Sequence, residues 1–184
     1  MIERKGNLLK YTGALSVLLF FFLCYVASLY TPSFSLWKNA YSDLGTHMSG
    51  CPGIFNYSLI FLIAPLMGAF SFYLIKIARG KIQTVGASFI LQSSTFLAFI
   101  GIFPKGRGPH DFVAFWFFMS YFIGILLWSV KEDSPRKVLG IVLFLLFLIG
   151  FIIPFPSVAL AETYALILIL IFTTTIALSQ QPKE

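Results

Sequence analysis

The sequence predicts an all-α fold, a six-helix transmembrane bundle with an amphipathic interfacial helix in the first outer loop, on two observations. Of 184 residues, 58% are apolar and only 11% are charged, against roughly 25% charged in a soluble domain. The apolar residues also gather into six continuous runs with no charge at their centres, each close to the about 20 residues that cross a hydrocarbon core. Backbone groups in a bilayer find no water, so such runs must satisfy themselves as helices. A closed β-barrel would need segments of about 10 residues alternating in polarity, and these Phe, Leu and Ile runs do not alternate. A single integral membrane domain over residues 1–184 accounts for the chain.

The first span is expected at residues 8–30. MIERKGNLLK before it has the basic character of a signal-peptide start. The apolar run is longer than the about 7–15 residues of such a segment and no small-x-small cleavage site follows, so the helix is expected to be retained. The connection from Thr31 to Pro52 contains LWKNAYSDLGTHM, in which Leu36, Trp37, Ala40, Tyr41, Leu44 and Met48 repeat at helical spacing. This predicts an interfacial helix with Trp37 and Tyr41 at headgroup depth. Lys38, Ser42 and Thr46 then project to its polar side, while Asp43 and His47, four residues apart, border the apolar face and look toward the bundle. Gly45 and the Ser49-Gly50 step weaken its continuity.

Spans at 54–75 and 84–103 follow, then the polar loop in GIFPKGRGPHDF, where Pro104, Gly106, Gly108 and Pro109 make a tight connection. The fourth span is expected at 112–130, with Asp111 placed to cap it. KEDSPRK reads as an ordinary basic turn before spans at 138–155 and 158–178. Asn56, Gln83, Gln92, Ser93, Ser94 and Thr95 are the main polar groups within the spans and are expected to join helices to one another.

Orientation follows from the cations. Arg4, Lys5, Lys10, Lys76, Arg79, Lys81, Lys131, Arg136, Lys137 and Lys183 fall on one side, against Lys38, Lys105 and Arg107 on the other. The positive-inside rule places both termini in the cytoplasm of a multi-pass cell-membrane protein. The net charge of +6 is therefore a topology signal, assisted by anionic lipid. It gives no support to nucleic-acid binding, which would require a solvated basic module.

The outer loops collect Ser42, Asp43, His47, Cys51, Lys105, Arg107, His110, Asp111 and Glu162, including both histidines of the chain. Lys105 and Arg107, with Ser42 and Asp111 nearby, suit an anionic headgroup held by charge-assisted donors. Asp43, His47, His110 and Glu162 are the candidate acid, base or catalytic groups. Glu162, one turn into the last span, should face the bundle or pair with Lys105 or Arg107. No cofactor is expected; if a metal were held, Asp43, His47, Cys51 and His110 would be its ligands. Cys24, inside the first span, reads as packing, so no disulfide is expected.

YSDLG, the Phe55-Asn56 pair, and GIFP followed by PHDFVAFWFF resemble the prokaryotic membrane family catalogued as domain of unknown function 998 (DUF998). Its features map onto Ser42 to Gly45 and onto Gly101, Phe103, Pro104, His110, Ala114, Phe117 and Phe118. The resemblance implies a six-span membrane protein and no established activity. Two readings stay open. One is a protein binding a membrane lipid or other amphiphile through an anionic headgroup. The other is an intramembrane lipid hydrolase or transferase built on the Asp/His cluster.

Overall fold

A computed structural model describes residues 8–179; Arg4, Lys5 and Lys183, three of the cations that set the expected orientation, lie outside the described residues. Six helices follow the six apolar runs: α1 (Leu9–Leu29), α2 (Pro52–Ile77), α3 (Lys81–Ile102), α4 (His110–Ser129), α5 (Ser134–Gly150) and α6 (Val158–Leu178). No strand occurs among the described residues. Five of the helices, α1 to α4 and α6, have 20 to 26 residues and the apolarity of membrane spans. α5 has 17 residues, short of the usual about 20, and begins and ends earlier than the run 138–155 suggested. Asp133 precedes it and Pro135 sits in its first turn, where a missing N–H costs nothing. At the other end Pro154 and Pro156 bar continuation past Gly150.

Each helix packs on those before and after it, and α6 returns to α1, so the chain closes a ring in sequence order. α3 and α4 form the most extensive pair because Gly86 and Gly124 face each other: a Cβ at Gly86 would lie 2.7 Å from the Trp128 backbone N, and one at Gly124 2.8 Å from the Gly86 carbonyl. Small residues at such crossings let backbones approach where lipid supplies no hydrophobic drive. α2 contains one π-helical stretch, Leu59–Ile63, in which the Ala64 N–H reaches back to the Leu59 carbonyl. The extra residue accommodates Pro65, which has no N–H to offer, and Leu59 and Ile63 at the two ends of the stretch both lie inward, each 1% exposed.

The two ends of the ring are sealed differently. At one end Gln83 accepts from the Arg79 N–H at 2.7 Å and donates to Glu132 at 3.2 Å, and Glu132 takes Arg136 at 2.8 Å. KEDSPRK is thus tied to the helix ends rather than simply solvated. At the other end lie the connections 30–51, 103–109 and 151–157. The first is looped onto itself, with the Gly50 N–H on the Tyr30 carbonyl at 2.9 Å and Thr31 on Ser49 at 2.9 Å.

The interfacial helix expected over Leu36–Met48 does not form. Only Tyr41–Gly45 is helical, as a 3₁₀ turn, since polar side chains compete for the backbone. Asn39 accepts from the Ser35 N–H, Asp43 accepts from the Ala40 N–H at 2.9 Å, and Thr46 bonds the Asp43 carbonyl. The expected faces change accordingly. Ser42 and Thr46 are buried, His47 is exposed instead of facing the bundle, and Leu36, Trp37 and Met48 are exposed. Within the spans, Gln92 and Thr95 point outward and Ser93 and Ser94 bond their own helix; among the six residues expected to join helices, only Asn56 and Gln83 reach another segment.

Candidate functional site

The hydrogen bonds that fix the first connection also place its side chains over the ring. Ser157 caps α6 by accepting from the Leu160 N–H at 3.1 Å, and its hydroxyl donates to the Leu36 carbonyl. The Asn39 carbonyl takes the Ala159 N–H at 2.9 Å. Between them the Tyr41 N–H donates to Glu162 Oε2 at 2.9 Å, and the Tyr41 hydroxyl meets Thr163 Oγ1 at 3.0 Å. The 3₁₀ turn is thereby laid across the first turns of α6, with Ser42 directed inward at 5% exposure.

Residues of GIFPKGRGPHDF close the other side. Gly101 lies against α2, where a Cβ would be 2.5 Å from the Asn56 carbonyl. Pro104 to Arg107 form a turn closed by the Arg107 N–H on the Pro104 carbonyl at 3.1 Å, with Gly106 at φ +89° in the position that demands a left-handed residue. This turn delivers Lys105 Nζ to Asp43 Oδ1 at 2.8 Å. His110 begins α4, is 5% exposed, and its Nδ1 lies 2.7 Å from the Phe103 carbonyl. A carbonyl only accepts, so Nδ1 bears the hydrogen, and in the neutral tautomer that this contact selects Nε2 carries the lone pair.

Ser42, His110 and Glu162 line one small cavity of about 30 Å³ inside the ring, whose remaining walls are mostly apolar, among them Phe20, Leu59, Met67 and Phe117. A second, larger space of about 240 Å³ lies beside it, between α4 and α6 over the end of α5, lined by Phe115, Phe147, Phe151, Phe155, Val158 and Tyr164 among others. Glu162, Ala114 and Phe118 border both spaces. Glu162 is partly accessible for that reason. It stands where an apolar groove in the side of the bundle meets a polar pocket inside it.

Of the candidate catalytic, ligand-binding and metal-ligating residues singled out in the sequence, three therefore share the cavity: Ser42, His110 and Glu162. Asp43 and Lys105 form an ion pair above it, so the partner of Lys105 is Asp43 and not Glu162. Arg107, His47 and Asp111 are exposed and line neither space, and Asp111 makes no side-chain cap on α4. The conditional metal set of Asp43, His47, Cys51 and His110 is not assembled: among the described residues no three His, Cys, Asp or Glu side chains come together to hold an ion. Its i, i+4, i+8 logic required the α-helix that the 3₁₀ turn replaces. Tyr41, expected at headgroup depth, is instead buried against α6 through Glu162 and Thr163; the Phe103 carbonyl and the lateral groove had no signature in the sequence, since backbone partners and inter-helix gaps depend on tertiary placement.

A family model described as "Protein of unknown function (DUF998)" matches residues 14–179. No curated protein matches the chain, and no solved structure matches it.

The Asp43 carboxyl is pulled two ways. Burial acts to raise its pKa, and Lys105, the Ala40 N–H and Asn39 together outweigh this, holding it below the ordinary 3.8. A lowered carboxyl contributes stability that is full above its unfolded value and is lost as pH falls through its folded value. The unfolding temperature in detergent should therefore fall more steeply below about pH 3.9 for the native protein than for Asp43→Asn. Parallel curves would show that the Lys105 pair contributes nothing to stability.

Proposed function

The chain belongs to the DUF998 family of membrane-type helical proteins, and we propose that it binds an amphiphile taken sideways from the bilayer, hydrocarbon in the groove between α4 and α6 and polar end in the cavity of Ser42, His110 and Glu162. The observation that supports this is the shared wall. Glu162 borders both the 240 Å³ apolar groove and the 30 Å³ polar cavity, so a chain lying in the groove ends at a hydrogen-bonding group. Ligand sites of this form, largely apolar with a few converging polar groups, are the usual design for small-molecule binding. The surroundings favour a membrane lipid as the source, because the groove opens through the flank of apolar helices. Lys105 is engaged by Asp43, which moves the weight of the site from the loop cations to the cavity.

A second reading has its own observation. His110 presents a lone-paired Nε2 to the cavity that Ser42 also lines, the elements of a base and a hydroxyl nucleophile. On that reading the protein is an intramembrane hydrolase or transferase acting on the same amphiphile. For orientation, the cation distribution supports six crossings of the cell membrane, α5 included, with both termini cytoplasmic and the Asp43 end outside.

Ala161→Trp, filling the groove and sparing the cavity, should lower the amount of amphiphile that co-purifies with the protein by roughly tenfold, equivalent to about 1.4 kcal/mol; lipid mass spectrometry reads it, and an unchanged lipid content would sink the binding reading. If the protein turns lipid over, His110→Ala should abolish product formation; turnover surviving in that variant would remove His110 from the chemistry. A membrane-impermeant thiol reagent on intact cells should modify Cys51, which is partly exposed, and leave buried Cys24 alone. Labelling of Cys51 only after permeabilisation would invert the orientation.

A further inference from the structure

The hydrogen atoms of the cavity are nearly all committed, and what remains defines the ligand. The Ser16 hydroxyl donates to the Gly13 carbonyl at 2.7 Å. Thr163 donates its single hydrogen to the Ala159 carbonyl at 2.7 Å, so the Tyr41 phenol must be the donor in their 3.0 Å contact. His110 Nδ1–H is held by the Phe103 carbonyl. Two acceptors are left without a partner among the described residues, His110 Nε2 and Glu162 Oε1, together with the Ser42 hydroxyl, which can serve either way. The cavity lining contains no Lys or Arg.

From this we infer, building on the amphiphile reading above, that the bound polar end is a compact hydrogen-bond donor, a primary ammonium or a hydroxyl, and that carboxylate and phosphate ends are rejected. Size and hydrogen-bond polarity select the same group. A space of about 30 Å³ takes two or three atoms of water size, since one such position needs roughly 10–15 Å³. A phosphate or trimethylammonium group is too large. A carboxylate brings acceptors to acceptors, and a site whose buried polar groups are left unpaired discriminates strongly. A primary ammonium, with three hydrogens, satisfies both orphan acceptors; a hydroxyl, with one, satisfies a single acceptor and leaves the other to the Ser42 hydroxyl.

The test uses the full-length protein in maltoside micelles with four probes of identical chain: hexadecylamine, hexadecanol, palmitate and hexadecyl phosphate, each titrated by isothermal calorimetry. The amine and the alcohol should bind at least roughly tenfold more tightly than either anion, and a tighter amine than alcohol identifies the ammonium as the preferred end. Glu162→Gln, which replaces an acceptor oxygen with an amide donor, should narrow the gap between hexadecylamine and palmitate; His110→Phe should weaken both donors while leaving palmitate unchanged. Equal or tighter binding of palmitate or hexadecyl phosphate overturns the inference and leaves amphiphile binding standing. Failure of all four probes to bind overturns both. A gap unchanged in Glu162→Gln places the discrimination elsewhere and overturns the assignment.

Discussion

Without the bond from the Tyr41 N–H to Glu162 Oε2, a connection of some twenty residues would have no reason to lie across the mouth of the ring. A partly buried carboxylate is costly unless hydrogen bonded, and the 3₁₀ turn satisfies it with backbone that would otherwise need water. The neighbouring contacts, Asn39 to Ala159 and Ser157 to Leu36, follow from the same juxtaposition. The inward setting of Ser42 and the seating of Asp43 beneath Lys105 both depend on where this segment is held.

That dependence explains what was legible in the sequence. Continuous apolar runs report burial in lipid directly, so six helices and their approximate limits could be read; only α5 moved, because Pro135 opens a helix as readily as Pro154 ends one. The first connection could not be read by periodicity. Its apolar spacing imitates an α-helix, yet Asn39, Asp43 and Thr46 offer the backbone nearer partners, and a 3₁₀ turn places side chains on different faces from those of an α-helix. Ser42 and His47 therefore exchanged environments. Glu162 was expected to face the bundle or the outer cluster because a charge that deep in an apolar helix has few other places to go, and it does so; its partner, a backbone N–H, left no trace in the sequence.

The motif residues that suggested the family acquire physical roles at one end of the bundle. Gly45 leaves room for the Phe55-Asn56 pair, and Asn56 donates to the Gly45 carbonyl at 2.9 Å. Gly101 lets α3 approach the same Asn56 from the other side. Phe103 holds the His110 ring through its carbonyl. Segments far apart in the chain thus converge on one small region, which positions the cavity without contributing most of its lining.

The π-helical stretch of α2 has a consequence for register. An α-helix advances about 100° per residue, so the one extra residue between Leu59 and Ile63 offsets the two halves of α2 against each other by about that angle. The half toward Gly45 is thereby free to aim Phe55 and Asn56 at the loops, while the half beyond Pro65 aims Met67, Phe70 and Leu74 into the ring core. α2 behaves as two helical rods joined by a fixed rotational coupling. Loss of a single residue there would leave its length and apolarity almost intact, yet would swing one rod's inward side chains out toward the lipid.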